Sequence, residues 1–297
     1  MLRKYTNMIT VFTPTYNRAY ILPTLYKSLQ SQTVHNFEWL IVDDGSTDNT
    51  TELVHRWQTE QNVFPIRYYK TPNGGKHRAI NVGVANANGE AFFIVDSDDS
   101  LPVNALENIQ SVFKQITDDI RFAGVCGLRA DPQTLKPLSS TFLLSQTLDC
   151  SMTDIRRKYH IRGDMAEVFK TSVLKRYPFP EFEGENFISE GAVWNKISQH
   201  YLLRYVPQVW YLCEYLPDGL TKNIRKKYRE NPRGTTFVLN NSLENSQETF
   251  KCKLRTAVLY WRYLCMQKIG YQKAVWWTYL FWPFGVLVYL YDILRGR

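Results

Sequence analysis

Residues 90–100 read EAFFIVDSDDS, an apolar run from Ala91 to Val95 that delivers Asp96, Asp98 and Asp99 around one serine. Carboxylates this close repel one another, and withdrawing them from water adds to the cost. A cation relieves both. A D-x-D at a strand end, with Asp96 and Asp98 on one side of the pleat, suits Mg2+ or Mn2+. Such ions take oxygen ligands and need only one or two protein carboxylates when substrate phosphates supply the rest. The cluster therefore suggests a metal bridging the protein and a diphosphate. Asp99 and Ser100 read as caps for a helix in LPVNALENIQSVF. A cap needs one such residue, so capping leaves Asp96 and Asp98 unexplained.

The elements that must position this cluster follow from periodicity. MITVFTP is a β-branched, apolar strand stopped by Pro14, and YILPTLYKSLQSQ has helical spacing. FEWLIVDD is a second strand, STDNTTELVHRWQTE a helix with start signals, PIRYYKT a third strand and KHRAINVGVANAN a further helix. AFFIVDSDD is the fourth strand, and RFAGVCGLRAD a later one. Strand–helix alternation predicts an α/β sheet of mostly parallel strands. Ligands bind such sheets beyond the carboxyl ends of the strands, where TPTYN, DDGS and DSDD all fall. Asp43 reads as a structural turn residue.

The stretches ITVFTPTYNRAYILPTLYKSLQSQT, FEWLIVDDGSTDNT and NGGKHRAINVGVANANGEAFFIVDSDD, in that order and spacing, resemble the inverting family 2 glycosyltransferases of GT-A fold. The resemblance covers about residues 7 to 225. RGDMAEVF and ISEGAVWNKI resemble the bacterial subgroup that builds capsular, exo- and cell-surface polysaccharides. It implies a Rossmann-like mixed sheet, mostly parallel, with helices on both faces. Pro14, Tyr16 and Asp44 match the nucleotide-base pocket, Asp44 accepting from uracil N3–H, which favours a UDP-sugar. Asp96 matches the carboxylate near the ribose, and Asp98 the ligand of Mn2+ or Mg2+ on the diphosphate. Lys76 and Arg78 reach phosphate or form a solvated helix start, and Asn81 ties the helix to the site or caps a turn. The general base, which takes the proton of the acceptor hydroxyl, falls at Glu190 in FISEGAVW. Here Ser189 replaces the usual first acid, and Glu183 and Glu185 are fallbacks. An acid in a first helical turn also suits the helix dipole.

Arg162 and Asp164 of RGDMAEVF could read sugar hydroxyls, or form a plain turn. Trp194 could floor the acceptor site, but a Trp at helical spacing favours the core. Thr221, Lys222 and Arg225, after PDGL, read either as a lid closing over the diphosphate or as a solvated basic connector.

From Thr221 onward the chain holds 14 Lys and Arg against 4 Asp and Glu, so its net charge of +8 belongs to the tail. Ala274 to Leu290 carries no charge, is rich in Trp, and contains Pro283 and Gly285 as interruptions. We expect residues 1–230 to form the catalytic domain. Residues 231–297 would form a basic, aromatic helical tail lying in, or dipping into, the inner leaflet of the cell membrane from the cytoplasmic side. A helical pair packed on the protein itself is the other reading. Membrane contact suits a polyprenyl-linked or surface glycan acceptor. The N-terminus shows no apolar leader. Five scattered cysteines suggest free thiols and a reducing compartment, and no His–Cys cluster suggests zinc.

Two alternatives compete: a non-catalytic module binding nucleotide-sugar or polyanion, and a nucleotidyltransferase. The latter usually opens on a Gly-rich basic loop, and TPTYNRAY has no glycine. Tryptophans crowded into an uncharged run, not interleaved with basic residues, argue against nucleic acid.

Overall fold

A computed structural model describes residues 8–138, 140–141, 144–213, 224–267 and 274–295. Eight strands and eleven α-helices follow one another among the described residues. They are β1 (Ile9–Thr15), α1 (Leu22–Gln30), β2 (Phe37–Asp43), α2 (Thr50–Thr59), β3 (Ile66–Lys70), α3 (Lys76–Asn86), β4 (Ala91–Ile94) and α4 (Ala105–Lys114). Next come β5 (Phe122–Ala130), β6 (Leu148–Cys150), α5 (Met152–Arg157), β7 (Met165–Lys170), α6 (Thr171–Leu174), α7 (Gly191–Ser198) and β8 (Leu202–Leu212). The chain ends with α8 (Ile224–Glu230), α9 (Pro232–Glu244), α10 (Phe250–Leu264) and α11 (Trp282–Leu294). It divides into two compact units: Met1–Pro178 with His200–Leu216, and Phe179–Gln199 with Pro217–Arg297.

The first unit holds an eight-stranded sheet in the order β3-β2-β1-β4-β7-β5-β8-β6. β3, β2, β1 and β4 are parallel, as the alternating pattern predicts. β7 runs antiparallel to both β4 and β5, and β6 antiparallel to β8, so the sheet is mixed. β1 and β2 are buried along their whole length, which is why they read as near-continuous apolar runs. Ile9, Val11, Trp39, Ile41 and Phe93 share one core with the apolar stripes of α1, α2 and α4. α3 packs on the opposite face, where its Gly83 lies against the Phe12 ring. Buried Glu38 ties the amino ends of the strands together, accepting from Thr10 Oγ1 (2.6 Å), Asn88 N (2.8 Å) and Arg67 (3.0 Å).

Two strand ends differ from expectation. β1 continues through Pro14 to Thr15, where it pairs with β2 only. A missing N–H is tolerated where one neighbour is absent. β4 stops at Ile94, so Asp96 to Asp99 lie in a turn and not on a pleat. Asp99 N–H donates to Asp96 O across that turn (3.2 Å).

The second unit is helical among its described residues. α9 is held at its start by an exchange of caps. Its N-cap residue, Asn231, accepts from the N–H groups of Asn186 (2.8 Å) and Phe187 (3.0 Å). In return Glu185 accepts from the α9 N–H groups of Arg233 (2.7 Å) and Gly234 (2.8 Å). Leu243, Ala257, Tyr260 and Trp261 form a small core between α9 and α10. α11 lies on α10 at Gly285, where a Cβ would stand 2.3 Å from Trp261 Cβ. The Trp261 indole donates to Thr278 O (2.7 Å), and Arg262 pairs with buried Asp292 (2.6 Å).

Neither expected interruption breaks α11. Pro283 sits in its first turn, where no intrahelical N–H is needed, and Gly285 serves the helix contact. The stretch Trp276–Leu294 is 19 residues long and apolar enough, by length and composition, to cross a membrane. One side of it packs on α10, while Trp276 is 81% and Leu280 74% exposed.

Candidate active site

Four segments at the carboxyl ends of β1, β2, β3 and β4 build the candidate site within the first unit. The β1 and β2 ends are laced together. Asn17, at positive φ (53°), accepts from Thr47 N–H (2.8 Å), and its own N–H donates to Ser46 Oγ (2.8 Å). Pro14 is buried in the strand, and Tyr16 just beyond it is exposed.

Asp43 and Asp44, adjacent in sequence, do different work. Asp43 is fully buried and accepts from Ser46 N–H (2.7 Å) and the Tyr68 hydroxyl (2.5 Å), which makes it the turn residue. Asp44 accepts from the N–H groups of Gly74 (2.7 Å) and Gly75 (2.8 Å), one on each oxygen. Its burial raises its pKa, and those two N–H bonds work against the rise. Gly45 has φ +83°, and a Cβ there would sit 2.7 Å from Asn73 N, so this close turn requires glycine. Asp44 thus fixes the NGG turn while standing at the strand end where a base pocket is expected.

That turn launches α3, whose first residue, Lys76, reaches Asp96 Oδ1 at 2.7 Å. Two residues read separately as donor-binding are therefore brought together. Burial alone would raise the Asp96 pKa, but the charges of Lys76, Arg129 and Arg18 outweigh it and hold the carboxyl below its usual range. Arg78 folds back to donate to Gly74 O (2.5 Å).

Asp98 and Asp99 lie the other way: burial, then the Asp96 charge, raises both, Asp99 to about 7. Asp99 does not cap the following helix. α4 begins only at Ala105 after the N-cap residue Asn104, and Asp99 instead accepts from the Tyr211 hydroxyl (2.5 Å). The same hydroxyl accepts from Asp96 N–H (2.9 Å), and the Arg129 guanidinium sits 4.2 Å from the centre of the Tyr211 ring. Tyr211 and Arg129 come from β8 and β5, and sequence reading missed both. They are far from the acids along the chain, so spacing carried no signal. Arg18, whose charge reaches Asp96 and Asp98, was missed although it lies inside TPTYNRAY.

Among the described residues, no group of three or more His, Cys, Asp and Glu side chains forms a metal cage. The site nonetheless fits a hard divalent ion shared with a diphosphate, because the donors are carboxylate oxygens and the half-buried Asp98 bears an electrostatic penalty that a cation relieves.

The other expected residues lie as follows. Arg162 and Asp164 are exposed beside Gly163 (φ 114°), and Arg162 N–H donates to Ser140 Oγ (2.6 Å). In the second unit, half-buried Glu190 takes the N-cap position of α7 without a side-chain capping bond. Trp194, one turn on, meets the Phe179 ring edge-on at 5.7 Å. Both oxygens of Glu185 are engaged by α9, so this fallback acid is a helix anchor. Arg225 is exposed on α8, and Thr221 and Lys222 lie outside the described residues.

Three comparisons bear on this arrangement. The chain is 27% identical over 190 residues to the GalNAc(5)-diNAcBac-PP-undecaprenol beta-1,3-glucosyltransferase of Campylobacter jejuni, covering 63% of this chain and 58% of that one. It spans less than two thirds of the other curated relatives it first matches. The crystal structure of Staphylococcus aureus TarS 1–349 in complex with UDP superposes with a TM-score of 0.60 at 19% identity, covering 86% and 70% of the two chains. A mannosyltransferase from Pyrobaculum calidifontis in complex with GDP-Man and Mn2+ gives 0.56 at 19% identity, covering 97% and 76%. At such identity the two structures establish a shared fold. Residues 10–165, from β1 to the first residue of β7, match the model for Glycosyl transferase family 2, and over that length the chain belongs to this family.

Proposed function

We propose that the protein is a metal-dependent, inverting glycosyltransferase moving a sugar from a UDP-sugar to a hydroxyl of a lipid-linked or surface glycan. The observation that carries this reading is the strand-end cluster, with Lys76 on Asp96, Asp98 beside them, and Asp44 holding the turn that launches Lys76. UDP in the TarS complex and the lipid-linked substrate in the Campylobacter enzyme's name support the donor and acceptor classes.

In this reading Pro14 and Tyr16 flank the base and Asp44 accepts from its N3–H. Asp96 meets the ribose, and Lys76 offsets diphosphate charge. Asp98 would hold Mn2+ or Mg2+, which when bound neutralises charge on the departing diphosphate. Glu190 takes the acceptor's proton as the hydroxyl oxygen attacks the anomeric carbon from the face opposite the leaving group, which inverts the configuration. Arg162, Asp164 and Trp194 line the sugar sites, and Thr221, Lys222 and Arg225 close over the diphosphate. The tail keeps the enzyme at the cytoplasmic face of the membrane.

The test is a panel of UDP-, GDP- and dTDP-sugars, with and without Mn2+, on the wild type, Asp98→Ala and Glu190→Gln. UDP-sugars should bind best, and Asp98→Ala should lose metal-dependent binding. Glu190→Gln should keep donor binding while turnover falls about 10²–10⁴-fold. Unchanged turnover in Asp98→Ala overturns the metal assignment, and unchanged turnover in Glu190→Gln overturns the base.

A further inference from the structure

The helical unit has a feature that the transfer reaction does not use. Between α10 and α11 runs an open groove of about 460 Å³, lined by Leu254 and Val258 of α10 and by Phe281, Phe284 and Leu287. Its size falls within the range of small-molecule sites, roughly 300–1,000 Å³. α11 meets the α10 backbone closely at Gly285, next in sequence to Phe284 of the groove.

Among the described residues, one charged residue, the exposed Arg255, lines the groove. α10 carries Lys251, Lys253, Arg255 and Arg262 and no acid. In the segment that supplies the groove's other wall, Trp276, Leu280, Trp282 and Leu290 are exposed. An apolar channel edged by a cation on a basic helix complements a hydrocarbon chain whose headgroup bears negative charge.

We propose that the α10–α11 groove seats one acyl chain of an anionic phospholipid, with the Arg255 guanidinium against the headgroup phosphate. The inference deepens the membrane part of the proposed function and rests on it. The flanking Trp276 and Trp282 lie at headgroup depth, as indole rings prefer. The seated chain gives the tail a fixed lipid contact beyond general surface attraction.

The test uses the full chain with vesicles of phosphatidylcholine, with and without phosphatidylglycerol. Two quantities are read: co-sedimentation, and the phosphatidylglycerol that stays with the protein after detergent exchange, counted by native mass spectrometry. The wild type should pellet with the anionic vesicles and retain lipid. Val258→Trp, which fills the groove, should still pellet through its exposed aromatic face but lose the retained lipid. Arg255→Glu, a surface change that leaves the helix packing intact, should weaken binding to anionic vesicles at least about tenfold, given about 1 kcal/mol per basic residue at such a surface. Sedimentation with undiminished lipid retention in both variants overturns the groove and leaves the membrane reading standing. Absence of wild-type sedimentation overturns the membrane reading itself. A lipid-free dimer that Val258→Trp converts to monomer makes a second copy the occupant and also overturns the proposal.

Discussion

Tyr211→Phe isolates one hydroxyl. The substitution keeps the ring, and with it the edge contact to Phe93 (6.0 Å) and the stacking of Arg129 at 4.2 Å. What it removes is a donor to Asp99 (2.5 Å) and an acceptor for Asp96 N–H (2.9 Å). Asp99 is 5% exposed, so water does not readily replace the lost donor. Removing one partner of a buried polar group costs about 1–3 kcal/mol, so the two lost bonds together should cost about 2–4 kcal/mol. Urea unfolding of the metal-free protein, followed on the transition of the first unit, measures the loss. Hydrogen exchange of the peptide spanning residues 90–102 measures it locally, where the Asp96 amide should lose protection. Combining Tyr211→Phe with Asp99→Asn should give less than the sum of the two single effects, because both act on one bond. A variant within about 0.5 kcal/mol of wild type, with that amide still protected, refutes the reasoning, since surface changes of no consequence fall in that range.

The Asp99 carboxyl, raised to about 7 by burial and the Asp96 charge, binds a proton in the folded chain that the unfolded chain has lost near pH 4. The contribution of this group to stability therefore falls as pH rises from about 4 to 7 and levels above. The stability difference between wild type and Asp99→Asn should shift by about 2–3 kcal/mol between pH 5 and pH 8, and a pH-independent difference sinks this account. Glu185→Ala removes two charge-assisted bonds from the start of α9 and should cost about 2–4 kcal/mol in the helical unit, read by its thermal transition. Gly285→Val places a side chain into Trp261 and α10 backbone and should destabilise the α10–α11 pair by about 1–3 kcal/mol or more, whereas thermal melting identical to wild type would show that the helices part freely.

Much of the candidate site was legible in the sequence because strand-end chemistry is local. DDGS, NGGK and DSDD each follow a strand legible from its own apolar run, and parallel strands deliver their carboxyl ends to one edge. The same locality hid Tyr211 and Arg129, which reach the acids only because β5 and β8 join the same sheet. It also misassigned Asp99. A Ser or Asp before an apolar helix looks like a cap, and only the late start of α4 and the Tyr211 hydroxyl show otherwise.

What the sequence by itself determined is the parallel β1–β4 core, the acids at its edge, and a basic tail with an uncharged aromatic stretch. These depend on periodicity and residue type within a few neighbours. Only the tertiary structure decided which acid pairs with a cation, which accepts a hydroxyl and which anchors a helix. Asp96, Asp98 and Asp99 are one residue type within four positions, yet Lys76 pulls the first below its usual pKa while burial and mutual repulsion push the other two up. The same holds in the tail: Pro283 and Gly285 looked like breaks, and became a first turn and a helix contact once α10 supplied the surface against which they pack.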